Sequence, residues 1–336
     1  MAGIEQITVT PDETGMRLDR WFKSRYPGLG HGHLQKLLRT GQIRVDGKRA
    51  ETSTRVGTGQ VVRIPPLQTD AHVSARDLAN PKPKSRKLVE GDREAVEAMV
   101  VYQDREVMVL NKPAGLAVQG GSGLTRHLDG MLEAFRDQKG EKPRLVHRLD
   151  RETSGILLLA RTRKAAAELA KAFRARQTRK IYWAMVAGVP KPRQGRISTY
   201  LARDEDEERM RIARHGEDEA QHSLSLYSVV ENSGQKVAWV SLRPITGRTH
   251  QLRAHMAHIH HPIIGDPKYF NIENWELPGG IQNKLHLHAR RIVIPHPSGR
   301  GVIDVSAPLP PHMQQTWNLL GLDAAQYDPE TDDPED

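Results

Sequence analysis

HRLDRETSGILLLA, residues His147 to Ala160, is the stretch on which the reading of this chain turns. Its second half, the apolar run Ile156 to Ala160, reads as a buried strand, and the preceding Thr153, Ser154 and Gly155 read as the turn into it. Its first half sets Asp150 between Arg148 and Arg151. Guanidinium donors beside a carboxylate favour the charged form through both opposite charge and hydrogen bonding. An ionised Asp at the mouth of a buried strand is a candidate nucleophile. For an arbitrary Asp the commoner role is an ion pair that merely fixes a loop, so the rest of the chain has to decide.

At 336 residues the chain exceeds one ordinary domain, and two folding units are expected. Lys and Arg total 50 against 41 Asp and Glu, a formal charge of +9 that favours a polyanionic partner, nucleic acid first. The charge is segregated: Arg161 to Lys180 holds eight bases and one acid, whereas Asp328 to Asp336 holds six acids and no base. Zero cysteines exclude disulfides, thiolate catalysis and cysteine-ligated zinc and fit a cytoplasmic setting. No apolar run approaches the roughly 20 residues that span a bilayer, and the N-terminus lacks a basic end followed by an apolar core. A soluble, unexported monomer with no membrane partner is the expectation.

Residues 1–13 read as a leader and 14–67 as a small module. Leu18, Trp21, Phe22 and Tyr26 form a helical stripe, Leu34, Leu37 and Leu38 begin a second helix that Gly41 can end, Ile43 and Val45 alternate with polar residues up to the hairpin turn pair Asp46-Gly47, and Val61 to Ile64 give a final strand. Residues 68–94 are basic and proline-rich and read as a linker. From 95 to 322 many short apolar runs and one helix after the signature, with Ala166, Leu169, Ala170 and Phe173 on one face, give an α+β domain on a mixed sheet. The acidic residues 323–336 read as a disordered tail.

HRLDRETSG resembles the signature of the RluA family of RNA pseudouridine synthases, and three further segments resemble that family in its order: NKPAG at Asn111 to Gly115, KIYWAMV at Lys180 to Val186, and ITGRTHQLRAH at Ile245 to His255. The resemblance implies a mixed β-sheet catalytic domain in which Asp150 is the nucleophile, Tyr182 belongs to the active site, and Arg253 is the basic partner of the Asp, with Arg248 the second choice. It implies no cofactor and no metal, and the reaction asks for none. RLDRWF, HLQKLLRTGQIRVDGKR and VRIPP in turn resemble a small RNA-binding module shared by certain ribosomal proteins, RNA-modifying enzymes and a tRNA synthetase. RNA contact is therefore expected from Arg17, Arg20, Lys36, Arg39 and Arg44 in the module, and from Arg148, Arg151, Lys180, Arg248 and His250 around the Asp. The pairing of this module with GGSG at Gly120 to Gly123 looks most like the branch acting on several uridines of bacterial large-subunit ribosomal RNA.

The chemistry that this resemblance implies is uridine isomerisation: the bond between ribose and base nitrogen breaks, the base turns, and a ring carbon rejoins the sugar, with Asp150 expected to attack the anomeric carbon as a retaining glycosidase carboxylate does. Two readings compete. A noncatalytic RNA-binding or ribosome-assembly factor would use the same fold as a scaffold. A hydrolase would need a second acid beside Asp150, and Glu152 faces away if the loop is extended. The histidines from His250 to His261 suggest zinc, against which stand Arg248 and Arg253 and the lack of a companion carboxylate other than Asp266.

Overall fold

A computed structural model of the chain describes residues 4–26, 28–67, 86–120, 126–137, 140–204, 207 and 209–325. The chain divides into two compact units at residues 85 and 86. Most of the expected linker, GGSG beyond Gly120, residues 205, 206 and 208 of the acidic stretch Asp204 to Glu208, and the tail from 326 lie outside the described residues.

In the first unit α1 (Leu18–Arg25) and α2 (His31–Arg39) flank a four-stranded sheet of β1 (Glu5–Thr8), β2 (Arg44–Val45), β3 (Lys48–Arg49) and β4 (Val61–Ile64), in the order β1-β4-β2-β3. Leu18, Trp21 and Phe22 bury one face of α1 against Leu37, Ile43, Val62 and Ile64, so the helical spacing of the stripe is what attaches it to the sheet. Asp46 and Gly47 adopt φ of 49° and 73°, the left-handed pair that a two-residue hairpin turn requires. The leader expected over 1–13 is, from Glu5, part of this sheet: β1 pairs antiparallel with β4, Val9 is buried, and Tyr26 donates its hydroxyl to Glu5 at 2.5 Å. Ile7 and Val9 alternate too briefly to announce a strand without the edge of β4 to pair with.

The second unit begins with α3 (Arg86–Glu97), so residues 86–94 are helix and not linker. There follow β5 (Val100–Gln103), β6 (Val107–Lys112), α4 (Leu128–Met131), β7 (Arg144–Leu145), β8 (Ser154–Ala160), α5 (Arg163–Arg174) and β9 (Arg179–Ala187). The rest is β10 (Gln194–Arg203), β11 (Met210–Ala213), β12 (Gln221–Ser233), β13 (Val237–Pro244), α6 (Gln251–His258), β14 (Leu287–Pro295), β15 (Val302–Ser306) and α7 (Pro311–Leu320). Eleven strands form one mixed sheet whose main path is β11-β10-β12-β13-β9-β14-β8-β6-β5. All seven residues of β8 are buried, as a continuous apolar run demands of a central strand. β8 is parallel to β14 and antiparallel to β6. That parallel pairing fixes Gly155, which sits at φ +106° where an added Cβ would come within 2.3 Å of the Ala289 carbonyl.

Helix α5 starts at Thr162, whose hydroxyl accepts from the Ala165 backbone N–H at 3.0 Å. It buries the expected Leu169 with Ala165 and Ala172, the expected Ala166 and Phe173 pack half-buried against the same core, and the bases of the helix are left exposed. In β9, alternation sends Ile181, Trp183 and Met185 to a core roofed by Met313 and Trp317 of α7. Lys180 and Tyr182 face the opposite side, where the cavity described next lies.

Candidate active site

A cavity of about 610 Å³ opens where the β7–β8 loop, the first residues of β9 and the β13–α6 turn converge. Asp150 sits on its wall with a fifth of its side chain exposed. Thr153 donates its backbone N–H to the Asp150 carbonyl at 3.2 Å, and His147 Nε2 accepts the Leu158 N–H at 2.9 Å, which pins the loop across β8. Burial pushes the His147 imidazole down to about 3, so it is a neutral brace.

The cation that faces Asp150 is Arg253, with Nη1 at 3.6 Å from Oδ2, and the His250 imidazole lies beside it, with Nε2 at 3.9 Å. The two arginines that flank Asp150 in sequence do something else. Arg148 lines the cavity with an exposed side chain, and Arg151 turns away to donate to the Gly115 carbonyl at 3.1 Å and to meet Glu152 at 3.5 Å. Backbone direction reverses within the turn, so nearness in sequence did not become contact. Arg253 does not grip Asp150 bidentately either. Its Nε and Nη2 bond Asp266 at 2.6 and 2.7 Å, the Asp266 side chain is fully buried, and only Nη1 points at Asp150. Asp266 is held in turn by the backbone N–H of Lys268 at 2.9 Å, and the Arg253 guanidinium lies 5.4 Å from the Tyr269 ring centroid. A carboxylate thus fixes the arginine that faces the candidate nucleophile.

Tyr182 and Lys180 line the same cavity, as their shared strand face predicts. Burial, aided by the Asp150 charge, pushes the Tyr182 hydroxyl well above the ordinary phenol range and keeps it protonated. Burial lowers Lys180 from its ordinary value. Arg248 lines the cavity and donates through Nε to the His222 carbonyl at 3.1 Å. Its turn is held by the buried Gln251, whose Oε1 accepts from Thr246 Oγ1 at 2.7 Å and from the Arg248 backbone N–H at 3.0 Å. Glu152 borders a different hollow, beside Pro113 and Pro267, so Asp150 is the one carboxylate among the described residues lining the cavity. The remaining histidines disperse: His255 bonds Ser223 and Ser225 at 2.8 and 2.9 Å, and His261 meets the Ala187 carbonyl at 2.9 Å.

Lys112 carries more than its place in NKPAG suggested. It is fully buried, and its ammonium donates to the carbonyls of Pro113, Leu116 and Arg151 at 2.9, 2.9 and 3.0 Å, tying that turn to the loop of Asp150. A strand-ending lysine gives no sequence sign of burial. Burial pushes it down to about 8, against the pull of Glu152 and Asp150. Below its ordinary 10.5 the unfolded chain binds a proton that the folded chain sheds, so stability should rise from about pH 8 to 10.5. Lys112→Met should strand three acceptors, cost roughly 2 kcal/mol at neutral pH, and flatten that rise. Denaturant melts of both proteins across this pH range check it, and an equal rise in the two would refute the assignment.

In the module, Arg17 is engaged by Asp19 at 2.7 Å, and Arg44 donates to the carbonyls of Gly41 and Gly47 at 3.2 and 3.0 Å. Arg20, Lys36 and Arg39 are exposed, the last two on a groove with Arg49.

The chain is similar to known proteins along most of its length. The profile of the RNA pseudouridylate synthase family matches residues 106–258, which span Asp150, Tyr182 and Arg253. Ribosomal large subunit pseudouridine synthase C of Vibrio cholerae is 33% identical over 321 residues, 94% of this chain and 97% of that protein. The mitochondrial RNA pseudouridine synthase 4 of Arabidopsis thaliana is 34% identical, over 94% of this chain and 82% of that protein. Among solved structures, human RNA pseudouridylate synthase domain containing 4 aligns with a TM-score of 0.59 at 28% identity, covering 70% of this chain and 98% of that one.

Proposed function

The chain belongs to the RluA family of RNA pseudouridine synthases, and we propose that it isomerises specific uridines of large-subunit ribosomal RNA with Asp150 as nucleophile. The observation that carries the assignment of Asp150 is its position: the one carboxylate among the described residues lining the cavity, faced by a buried Arg253 whose own geometry Asp266 fixes. The Oδ2 atom attacks the ribose anomeric carbon while the electron pair of the glycosidic bond leaves with uracil N1. Arg253 and the protonated Tyr182 bound the space in which the freed base turns, and C5 then displaces the carboxylate. Among the described residues the cavity holds no second carboxylate, so the carboxylate pair on which a glycosidase relies is not there.

The large-subunit target rests on the likeness to the Vibrio synthase along nearly the whole of both chains. A cysteine-free, basic chain suits the reducing cytoplasm in which such RNA is made. Purified protein mixed with unmodified large-subunit transcripts should yield pseudouridine at discrete positions. Binding without product would favour a scaffold, and free uracil a hydrolase.

The exposed bases of the module set RNA affinity through phosphate contacts. Lys36→Ala with Arg39→Ala should flatten the slope of log affinity against log salt by roughly 1.5, about 0.7 to 0.9 for each phosphate no longer neutralised. Arg17→Ala, where an Asp already neutralises the guanidinium, should change it less. Filter binding over a salt series measures both, and equal slopes for all three proteins would remove these residues from the interface.

A further inference from the structure

Isomerising uridine moves one proton: C5 of uracil loses a hydrogen once it bonds to the ribose, and N1 gains one once it is released. The steps at Asp150 leave the carrier of this proton unassigned, and the hydrogen bonds around His250, on the cavity wall, fit it for that role. The Tyr269 hydroxyl donates its single proton to the Met210 carbonyl at 2.8 Å and accepts the Met210 backbone N–H at 2.8 Å. Its remaining lone pair faces His250 Nδ1 at 3.3 Å, so Nδ1 must be the protonated nitrogen. The neutral ring therefore turns the lone pair of Nε2 toward Asp150 Oδ2, 3.9 Å away.

We propose that His250 is the catalytic base that takes the proton from C5 of the uracil and returns it at N1. The proposal rests on Asp150 as nucleophile, because the ribose carbon joined to Oδ2 brings whatever ring atom bonds to it next to Nε2. When C5 attacks the anomeric carbon, the ester bond to Asp150 breaks and its electron pair returns to the carboxylate. Nε2 then takes the C5 proton, the C–H pair becomes the C5=C6 double bond, and the N1=C6 pair returns to N1. The imidazolium, briefly paired with the freed Asp150, gives its proton to N1, so the ring ends neutral and no co-reactant is consumed.

The other cavity groups are less suited. Tyr182 is held protonated by burial and Asp150, and the lone pair of His147 is taken by the Leu158 N–H. Burial and then the Arg253 charge lower His250 from its ordinary value and outweigh the opposing pull of Asp150, which leaves the imidazole free to accept. The backbone supports the same reading. His250 is held at φ 49°, ψ 19° at the start of α6, a conformation unusual for a residue other than glycine, and it aims the ring into the cavity.

The test uses His250→Asn, since Asn tolerates that backbone conformation and can still donate to Tyr269, but offers no basic nitrogen. His250→Gln serves as a second variant should the first melt early. Each is assayed on RNA carrying hydrogen or deuterium at uridine C5. The expected result is a fall in kcat on the order of 10²–10⁴ with KM within a few fold, and a ratio of protiated to deuterated rates larger than in the wild type. A kcat within tenfold of the wild type, or an isotope ratio no larger than the wild type's in the folded variants, overturns the proposal. Asp150→Asn run in parallel separates the two assignments: turnover by that variant removes Asp150 as nucleophile even if the His250 isotope effect appears.

Discussion

Asp150→Asn is expected to lower pseudouridine formation by at least on the order of 10⁴, below what a day-long single-turnover assay detects. The amide has the shape of the carboxylate but neither its charge nor a nucleophilic oxygen, so the ester to the anomeric carbon does not form. The substitution should leave the fold alone. The Asp150 side chain is partly exposed, its nearest cation stands at 3.6 Å, beyond a hydrogen bond, and the loop is held by the backbone of Thr153 and by His147. Melting temperature should therefore move by no more than a surface substitution moves it, and RNA affinity by no more than a few fold. Filter binding and a thermal melt beside the turnover assay make the three numbers a single test. Turnover within tenfold of the wild type would mean that the carboxylate only orders its surroundings. Abolished turnover together with abolished binding would mean that it holds the strand.

Much of this arrangement is legible in the sequence because it is local. The apolar run after Gly155 becomes a strand buried along its whole length, Asp46-Gly47 becomes the hairpin turn it spells, and the face shared by Lys180 and Tyr182 meets the cavity. What escapes is set by partners far along the chain. The run GRISTYLAR at Gly195 to Arg203 alternates poorly, yet it forms a strand because β12 and β11 supply its hydrogen bonds. The stripe of α5 keeps the expected Leu169 but is buried most deeply at Ala165 and Ala172, because packing on β8 selects among alanines that do not differ in hydrophobicity. Asp266 lies 13 residues from Arg253 and in no periodic relation to it, so nothing in the sequence marks it as the partner that takes two of the guanidinium's three nitrogens. The burial of Lys112 is equally silent, because its acceptors are backbone carbonyls, two of them in the turn that it closes.

Arg253→Met is expected to remove activity and to destabilise the second unit together, and separating the two effects identifies what the arginine does. The guanidinium is 3% exposed and its Asp266 partner is fully buried, so truncating one member strands a buried carboxylate, a change that costs about 3–5 kcal/mol. At about 2–4 °C per kcal/mol for a unit of this size, the melting temperature should fall by roughly 6–20 °C. Removing both charges, Arg253→Met with Asp266→Leu, leaves no orphan, and buried pairs replaced by apolar side chains of similar volume often fold as well as the original. The double variant should thus melt several degrees above Arg253→Met while staying as inactive, because Nη1 is gone and with it, among the described residues, the only cation within 4 Å of Asp150 that is charged at every working pH. Melting curves and single-turnover rates for the two variants decide the matter. Activity that returns along with stability in the double variant would reduce Arg253 to a brace. Stability that returns without activity assigns Nη1 to the chemistry at Asp150.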